Sequence, residues 1–93
     1  MPRRVRRRIR GNFEKVCFKP CGIPNHSLDR VFLDEDELEA IRLMDYEGLY
    51  QEDVAKEMGV SRPTISRILK NARAKIADAI LNGKSIEIKR FKN

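Results

Sequence analysis

The feature that most constrains this fold is residues 51–70, whose apolar positions fit two short helices joined by a tight turn. The stretch reads QEDVAKEMGVSRPTISRILK. Ala55 is small where the two helices must approach closely, and Gly59 stands where the turn needs a positive φ. The side chains expected on the buried side of the pair are Val54, Met58, Val60, Ile65 and Ile68. This pattern predicts a helix-turn-helix.

The second helix of the pair has a marked start. Ser61 is a natural N-cap, and Pro63 in the first turn loses no helical hydrogen bond, so the helix should begin near Arg62. In DNA-binding proteins of this type, that start presents side chains to base edges. The candidate DNA-binding residues are Ser61, Arg62, Pro63, Thr64, Ser66 and Arg67, followed by Lys70 and Arg73 toward phosphate. The alternative is an ordinary helical hairpin that packs an unrelated core.

The same helix is expected to run over residues 62–81 and to stop at Asn82 and Gly83. Its apolar residues recur at helical spacing along one stripe: Ile65, Ile68, Leu69, Ala72, Ile76, Ala79 and Ile80. This stripe extends beyond what the two preceding helices can cover. Its C-terminal half therefore needs another partner, either the N-terminal segment or a second copy of the chain.

Residues 84–89 alternate polar and apolar side chains, which predicts a short strand with Ile86 and Ile88 inward. A single strand is not stable alone. Its expected partner is an N-terminal segment, around Val16 or residues 31–33, or the same strand of a second copy.

A further helix is expected after Asp34. Asp34 and Glu37 have the spacing of a capping box, and the acidic side chains of this first turn suit the positive end of the helix dipole. Leu38 and Ile41 begin its apolar side, and Gly48 is the expected stop. The three helices are enough to bury a helix-turn-helix.

The charge of the chain is segregated along the sequence. The net charge is +6 over 93 residues, but residues 1–33 carry nine Lys/Arg against two Asp/Glu, residues 34–57 carry two against ten, and residues 58–93 carry nine against two. Phosphate attracts the two basic parts and repels the acidic one. The pattern predicts a nucleic-acid face and an opposed acidic face.

The first residues read MPRRVRRRIR. We interpret residues 1–12 as a flexible basic arm and residues 13–93 as a single domain. Such an arm can enter a minor groove or follow phosphates, and it also suits RNA. Its candidate contacts are Arg3, Arg4, Arg6, Arg7 and Arg8.

The sequence has no apolar run long enough to cross a membrane and no apolar segment behind the arginines that resembles a signal peptide. We expect a cytoplasmic protein with reduced thiols and no membrane partner. Cys17, Cys21 and His26 are too few for a structural zinc site, so we assign neither a metal nor a cofactor. One histidine and no paired nucleophile and base give no basis for an enzyme.

Three stretches carry a resemblance to a known family: FKPCGIP at residues 18–24, residues 36–69, and residues 72–88 with NGKSIEI. Together they resemble a prokaryotic family of uncharacterised proteins described as DNA-binding, whose helix-turn-helix is similar to region 4 of the major sigma factors. Cys21 stands where the family has a small residue, and the ending IKRFKN replaces a glycine-rich one. The resemblance implies a regulatory DNA-binding protein.

We therefore expect a mainly α fold: a three-helix, sigma region 4-like helix-turn-helix core with a short strand or two from the termini. The expected function is sequence-specific binding of double-stranded DNA by a homodimer that regulates transcription, with RNA polymerase as a further candidate partner. Two alternatives remain. One is an RNA- or ribosome-associated basic protein, and the other is an adaptor that binds proteins through the acidic helix.

Overall fold

The computed structural model describes residues 17–88. In chain order, these residues form β1 (Cys17–Phe18), β2 (Arg30–Leu33), α1 (Glu35–Ile41), α2 (Gln51–Met58), α3 (Arg62–Asn82) and β3 (Ser85–Ile88). A 3₁₀ turn at Asn25–Ser27 precedes β2, and a π-helical turn at Arg42–Tyr46 continues α1. The described part of the chain is mostly helical with a small three-stranded sheet. It has one strand more than predicted.

α1 begins with the predicted capping box. The Asp34 carboxylate accepts from the Glu37 backbone N–H at 2.9 Å, and the Glu37 carboxylate accepts from the Asp34 backbone N–H at 3.1 Å. Two backbone donors that the helix itself leaves free are thereby satisfied. The helical path ends before Gly48, which has a φ of 79°.

The sheet joins the two ends of the described chain. β3 lies in the middle, antiparallel to β1 and parallel to β2, and Ile86 is paired with both Phe18 and Val31. Both expected N-terminal segments thus contribute a partner from the same chain. Since the two edges of β3 are occupied at Ile86, the alternative that this strand pairs with a second copy is wrong.

One buried apolar cluster receives side chains from α1, its π-helical turn, α2 and α3. It consists of Ala40, Leu43, Val54, Ala55, Ile65 and Leu69. Met58 and Ile68 pack partly buried against it, as predicted. Val60 was expected to be buried but is 36% exposed, because it lies in the turn after α2 rather than on a helix face.

α3 also packs on strands β2 and β3 of the sheet. In the described range, the buried apolar residues outside the helix cluster are Leu33, Ala72, Ala79 and Ile88. α3 therefore contacts α1, α2 and the sheet, which fixes its direction relative to the rest of the fold. Within residues 17–88, no helix combines the length and the apolar character needed to cross a bilayer.

Candidate nucleic-acid interface

The turn between α2 and α3 is closed by backbone hydrogen bonds. Gly59 has a φ of 70°, and the Val60 backbone N–H donates to the Ala55 carbonyl at 3.0 Å. This arrangement satisfies carbonyls at the end of α2 and turns the chain sharply. A Cβ on Gly59 would meet no atom within 4 Å, so the position requires glycine only for its left-handed backbone.

α3 begins with the predicted cap. The Ser61 hydroxyl accepts from the Thr64 backbone N–H at 3.3 Å and lies 2.9 Å from the Thr64 hydroxyl. Pro63 occupies the first turn. Ser61 and Thr64 thus stabilise the helix start, which leaves the longer side chains of this turn to project outward.

A hydrogen bond between side chains joins the start of α2 to the second turn of α3. The Gln51 amide donates to the Ser66 hydroxyl at 2.5 Å. Ser66 is one of the predicted site residues, whereas Gln51 was not singled out. The two residues are 15 positions apart and no local pattern links them, so only the folded arrangement shows that Gln51 holds Ser66 in place.

Three of the predicted cations on α3 point to solvent. Arg62, Arg67 and Lys70 are exposed, and none of their side chains has a hydrogen bond or an ion pair with another residue of the described range. We call these three side chains the cationic face of α3. Their charges are not offset by local partners, so a phosphate backbone would be attracted to them.

Arg73, the fourth predicted cation, is engaged within the protein. Its Nη2 and Nε lie 2.6 and 3.1 Å from the two carboxylate oxygens of Asp45. This two-bond contact raises the pKa of Arg73 above its usual value, chiefly through the hydrogen bond to Asp45. Because the pair is about half exposed, it orients the guanidinium more than it stabilises the fold.

The acidic residues 34–57 make a second contact with α3, at Lys75. The Lys75 ammonium donates to the buried Glu37 carboxylate at 2.8 Å and to the Phe32 carbonyl at 2.7 Å. The predicted separation into opposed acidic and basic faces is therefore incomplete. Acidic residues neutralise the middle of α3 at Arg73 and Lys75, and the uncompensated charge is confined to its first turns.

The basic arm lies outside the described residues, and so do its predicted contacts Arg3, Arg4, Arg6, Arg7 and Arg8. Cys17 and Cys21 are exposed free thiols. In the described range, no three His, Cys, Asp or Glu side chains are grouped so that they could hold a metal ion.

The family described as "Protein of unknown function DUF134" matches residues 1–91. A relative from Moorella thermoacetica, named only as a UPF0251 protein, is 59% identical over 71 residues, which cover 76% of this chain and 48% of the relative. A UPF0251 protein from Thermoanaerobacter pseudethanolicus is 52% identical over 89 residues, which cover 95% of this chain and 75% of the relative. A UPF0251 protein from Aeromonas salmonicida is 48% identical over 87 residues, which cover 92% of this chain and 85% of the relative.

The chain thus spans about half of the length of the Moorella relative and three quarters of the Thermoanaerobacter one. No solved structure matches it.

Proposed function

The chain belongs to the family of unknown function DUF134, and from the arrangement of α2 and α3 we propose that it is a sequence-specific DNA-binding protein that regulates transcription. In this proposal α2, the turn at Gly59 and α3 are a helix-turn-helix, similar to that of sigma factor region 4. The single observation that carries it is the cationic face of α3. Its three charges are free of local partners on the capped start of a helix that the core holds in place.

The proposed mechanism places the first turns of α3 in the major groove. Arginine can donate two hydrogen bonds to O6 and N7 of guanine, so Arg62 and Arg67 are assigned to base readout. Lys70 lies further along the helix and carries a compact point charge, which suits a phosphate oxygen. Arg73 is assigned to phosphate as well, with its charge offset by Asp45 in the free protein.

Gln51 has a supporting role in this mechanism. Its bond to Ser66 fixes the second turn of α3 against the first turn of α2. A base contact gains specificity when the side chain that makes it is held on a rigid element. The hydrogen bond from the Thr64 backbone N–H to the Ser61 hydroxyl holds the first turn of α3 in the same way.

Selection of bound DNA from a random pool, with the full chain, tests the function directly. If a preferred site emerges, Arg62→Ala or Arg67→Ala should weaken binding to it by about 1 to 3 kcal/mol and weaken binding to scrambled DNA by clearly less. Lys70→Ala should weaken both DNAs alike and lower the slope of log K against log salt by about 0.9.

Arg42→Ala is the matched control. Arg42 is an exposed arginine that pairs with Glu39 and Glu47 outside α2 and α3, so its loss should change neither specificity nor affinity by much. A pool that yields no preferred sequence, or an Arg67→Ala variant that loses preferred and scrambled DNA equally, would contradict base readout. Tighter binding to an RNA pool through the arginine-rich residues 1–12 would favour the RNA-associated alternative instead.

A further inference from the structure

The described fold and the segments on either side of it carry opposite net charges. Residues 17–88 hold ten Lys/Arg and thirteen Asp/Glu, a net charge of −3. Residues 1–16 and 89–93, which we call the flanking segments, together hold ten Lys/Arg and one Asp/Glu, a net charge of +9. The cationic face of α3 therefore belongs to a fold that, as a whole, has the same sign of charge as phosphate. Its three unpaired cations alone give a weak long-range attraction to DNA.

The middle strand of the sheet runs back along α3 toward the start of that helix. Ile86 of β3 and Ile80 of α3 line the same shallow groove. The ammonium of Lys75, five residues earlier on α3, donates to the carbonyl of Phe32, which is the residue paired with Glu87 of β3. Later residues of β3 thus lie beside earlier residues of α3. The last residue of β3 is at the end of the sheet nearer the capped start of α3.

Both flanking segments join the fold at this end of the sheet. β1 is antiparallel to β3, with Cys17 opposite Glu87 and Phe18 opposite Ile86. The first residue of β1 therefore lies at the same end as the last residue of β3. Residues 1–16 precede the first, and residues 89–93 follow the second. All ten flanking cations are thus attached at the end of the sheet nearer the start of α3.

The longer flanking segment can reach DNA held by α3. Lys75 lies beside this end of the sheet, and Ser66 is nine residues before it, about 14 Å along the helix. An extended chain covers about 3.3 Å per residue, so residues 1–16 can span about 50 Å. The sheet packs on the buried side of α3, and a helix is about 10 to 12 Å across with its side chains. Residues 1–16 are therefore long enough to pass round α3 to a duplex on its exposed side.

We propose that the flanking segments bind the phosphate backbone of the duplex that α3 reads, and that they supply most of the electrostatic affinity while α3 supplies the sequence preference. The inference rests on the proposed function and deepens it, since it names the second contact of the same site. Lysine and arginine contacts to phosphate hold a protein on DNA without reading its sequence. With ten cations against the three of the cationic face, the larger part of the salt-dependent attraction lies in the flanking segments.

Salt titrations of the full chain on duplex DNA of random sequence test the contact. Two triple variants each remove three flanking charges by substitution with Gln. Each variant should lower the slope of log K against log salt by about 2 to 3, because one lost phosphate contact removes about 0.9. At 0.1 M salt the affinity should fall by about 100-fold or more. The residues changed are Arg3, Arg4 and Arg6 in one variant, and Lys89, Arg90 and Lys92 in the other.

A third triple variant, within the described fold, is the matched control. It changes Arg30, Arg42 and Lys56 to Gln, so it alters the net charge of the chain by the same amount. All three residues are exposed, and Arg30 and Arg42 pair with acidic side chains of the fold. The slope of this variant should change by less than one.

A cleavage reagent on the arm tests whether the flanking contact is made to the same duplex. With Cys17 and Cys21 changed to Ser, an iron chelate attached to Val5→Cys should cut DNA beside the preferred site. The control is the same reagent on Ser27→Cys, which should not cut. Ser27 is exposed and lies in the turn whose Asn25 bonds Glu87, on the face of the sheet away from α3.

An unchanged slope in both flanking variants would overturn the inference, and it is the result expected if the flanking cations pair with the acidic start of α1 in place of phosphate. An equal fall in the control, or tighter binding of single-stranded RNA than of duplex DNA, would also overturn it. If the flanking variants lose slope but no preferred sequence emerges from the pool, the phosphate contact stands and the proposed function is refuted. A preferred sequence bound with an unchanged slope would do the reverse.

Discussion

At the scale of single residues, the chemistry of α3 depends on which cations have partners. Arg62, Arg67 and Lys70 have none among the described residues, whereas Arg73 and Lys75 are held by Asp45 and Glu37. All five belong to one helix and would look alike in a charge count. The sequence places the cations along the helix, but it could not show that acidic side chains 28 and 38 positions away would neutralise two of them.

Asp45→Asn should release Arg73 for phosphate. The amide removes the charge that holds the guanidinium, so affinity for all DNA sequences should rise and the salt slope should steepen by about 0.9. The stability of the fold should change by less than about 1 kcal/mol, because the pair is half exposed. A salt titration of binding to scrambled DNA measures the slope.

Glu39→Gln is the matched control for that titration. It removes one negative charge from the same acidic segment, but the cation it affects is Arg42, which lies outside α3. If both variants steepened the slope equally, net charge alone would account for the effect and Arg73 would have no specific part in it.

At the scale of elements, the boundaries were the most predictable feature, because caps and stops are local. The capping box at Asp34 and Glu37, the cap at Ser61 and the left-handed residues Gly59 and Gly83 all act within five residues of the helix ends they define. The length of α3 followed from two such signals. The π-helical turn after α1 had no comparable signal in the sequence.

Gly59→Ala should destabilise the fold by about 1 kcal/mol, because the left-handed conformation is costly for a residue with a Cβ. Its Cβ would meet no atom, so no steric clash adds to that cost. Gly59→Asn should cost less, since asparagine tolerates this conformation better. Urea unfolding followed by circular dichroism measures both.

An Ala variant as stable as the wild type would show that the turn relaxes away from its positive φ. Equal losses for Ala and Asn would indicate that the cost comes from the side chain rather than from the backbone conformation.

At the scale of the whole molecule, α3 is the element that both halves of the fold share. It contacts α1, α2 and the strands β2 and β3. Its buried side chains are Ile65, Leu69, Ala72 and Ala79. The sequence predicted a strand at the end of the chain but left its partner open. The paired strands are more than 50 positions apart in the sequence, and no local residue pattern links strands so far apart. In the structure, β3 pairs in parallel with β2 along one edge and antiparallel with β1 along the other.

Because α3 belongs to both halves, the sheet and the helices should unfold together. Ile88 in β3 is 7% exposed and is paired with Leu33 of β2. Ile88→Ala should therefore lower the free energy of unfolding by about 2 to 4 kcal/mol, the usual cost of truncating a buried isoleucine. Urea unfolding monitored at the helical signal should show this full loss with an unchanged denaturant slope, since the same surface is exposed in one transition.

Ile80→Ala supplies the comparison, because the same truncation on α3 removes a side chain that is 72% exposed. It should change the free energy of unfolding by no more than about 0.5 kcal/mol. If Ile88→Ala instead left the helical transition in place and produced a separate early one, the sheet would be an independent unit. The orientation of α3 toward DNA would then depend on the helix cluster alone.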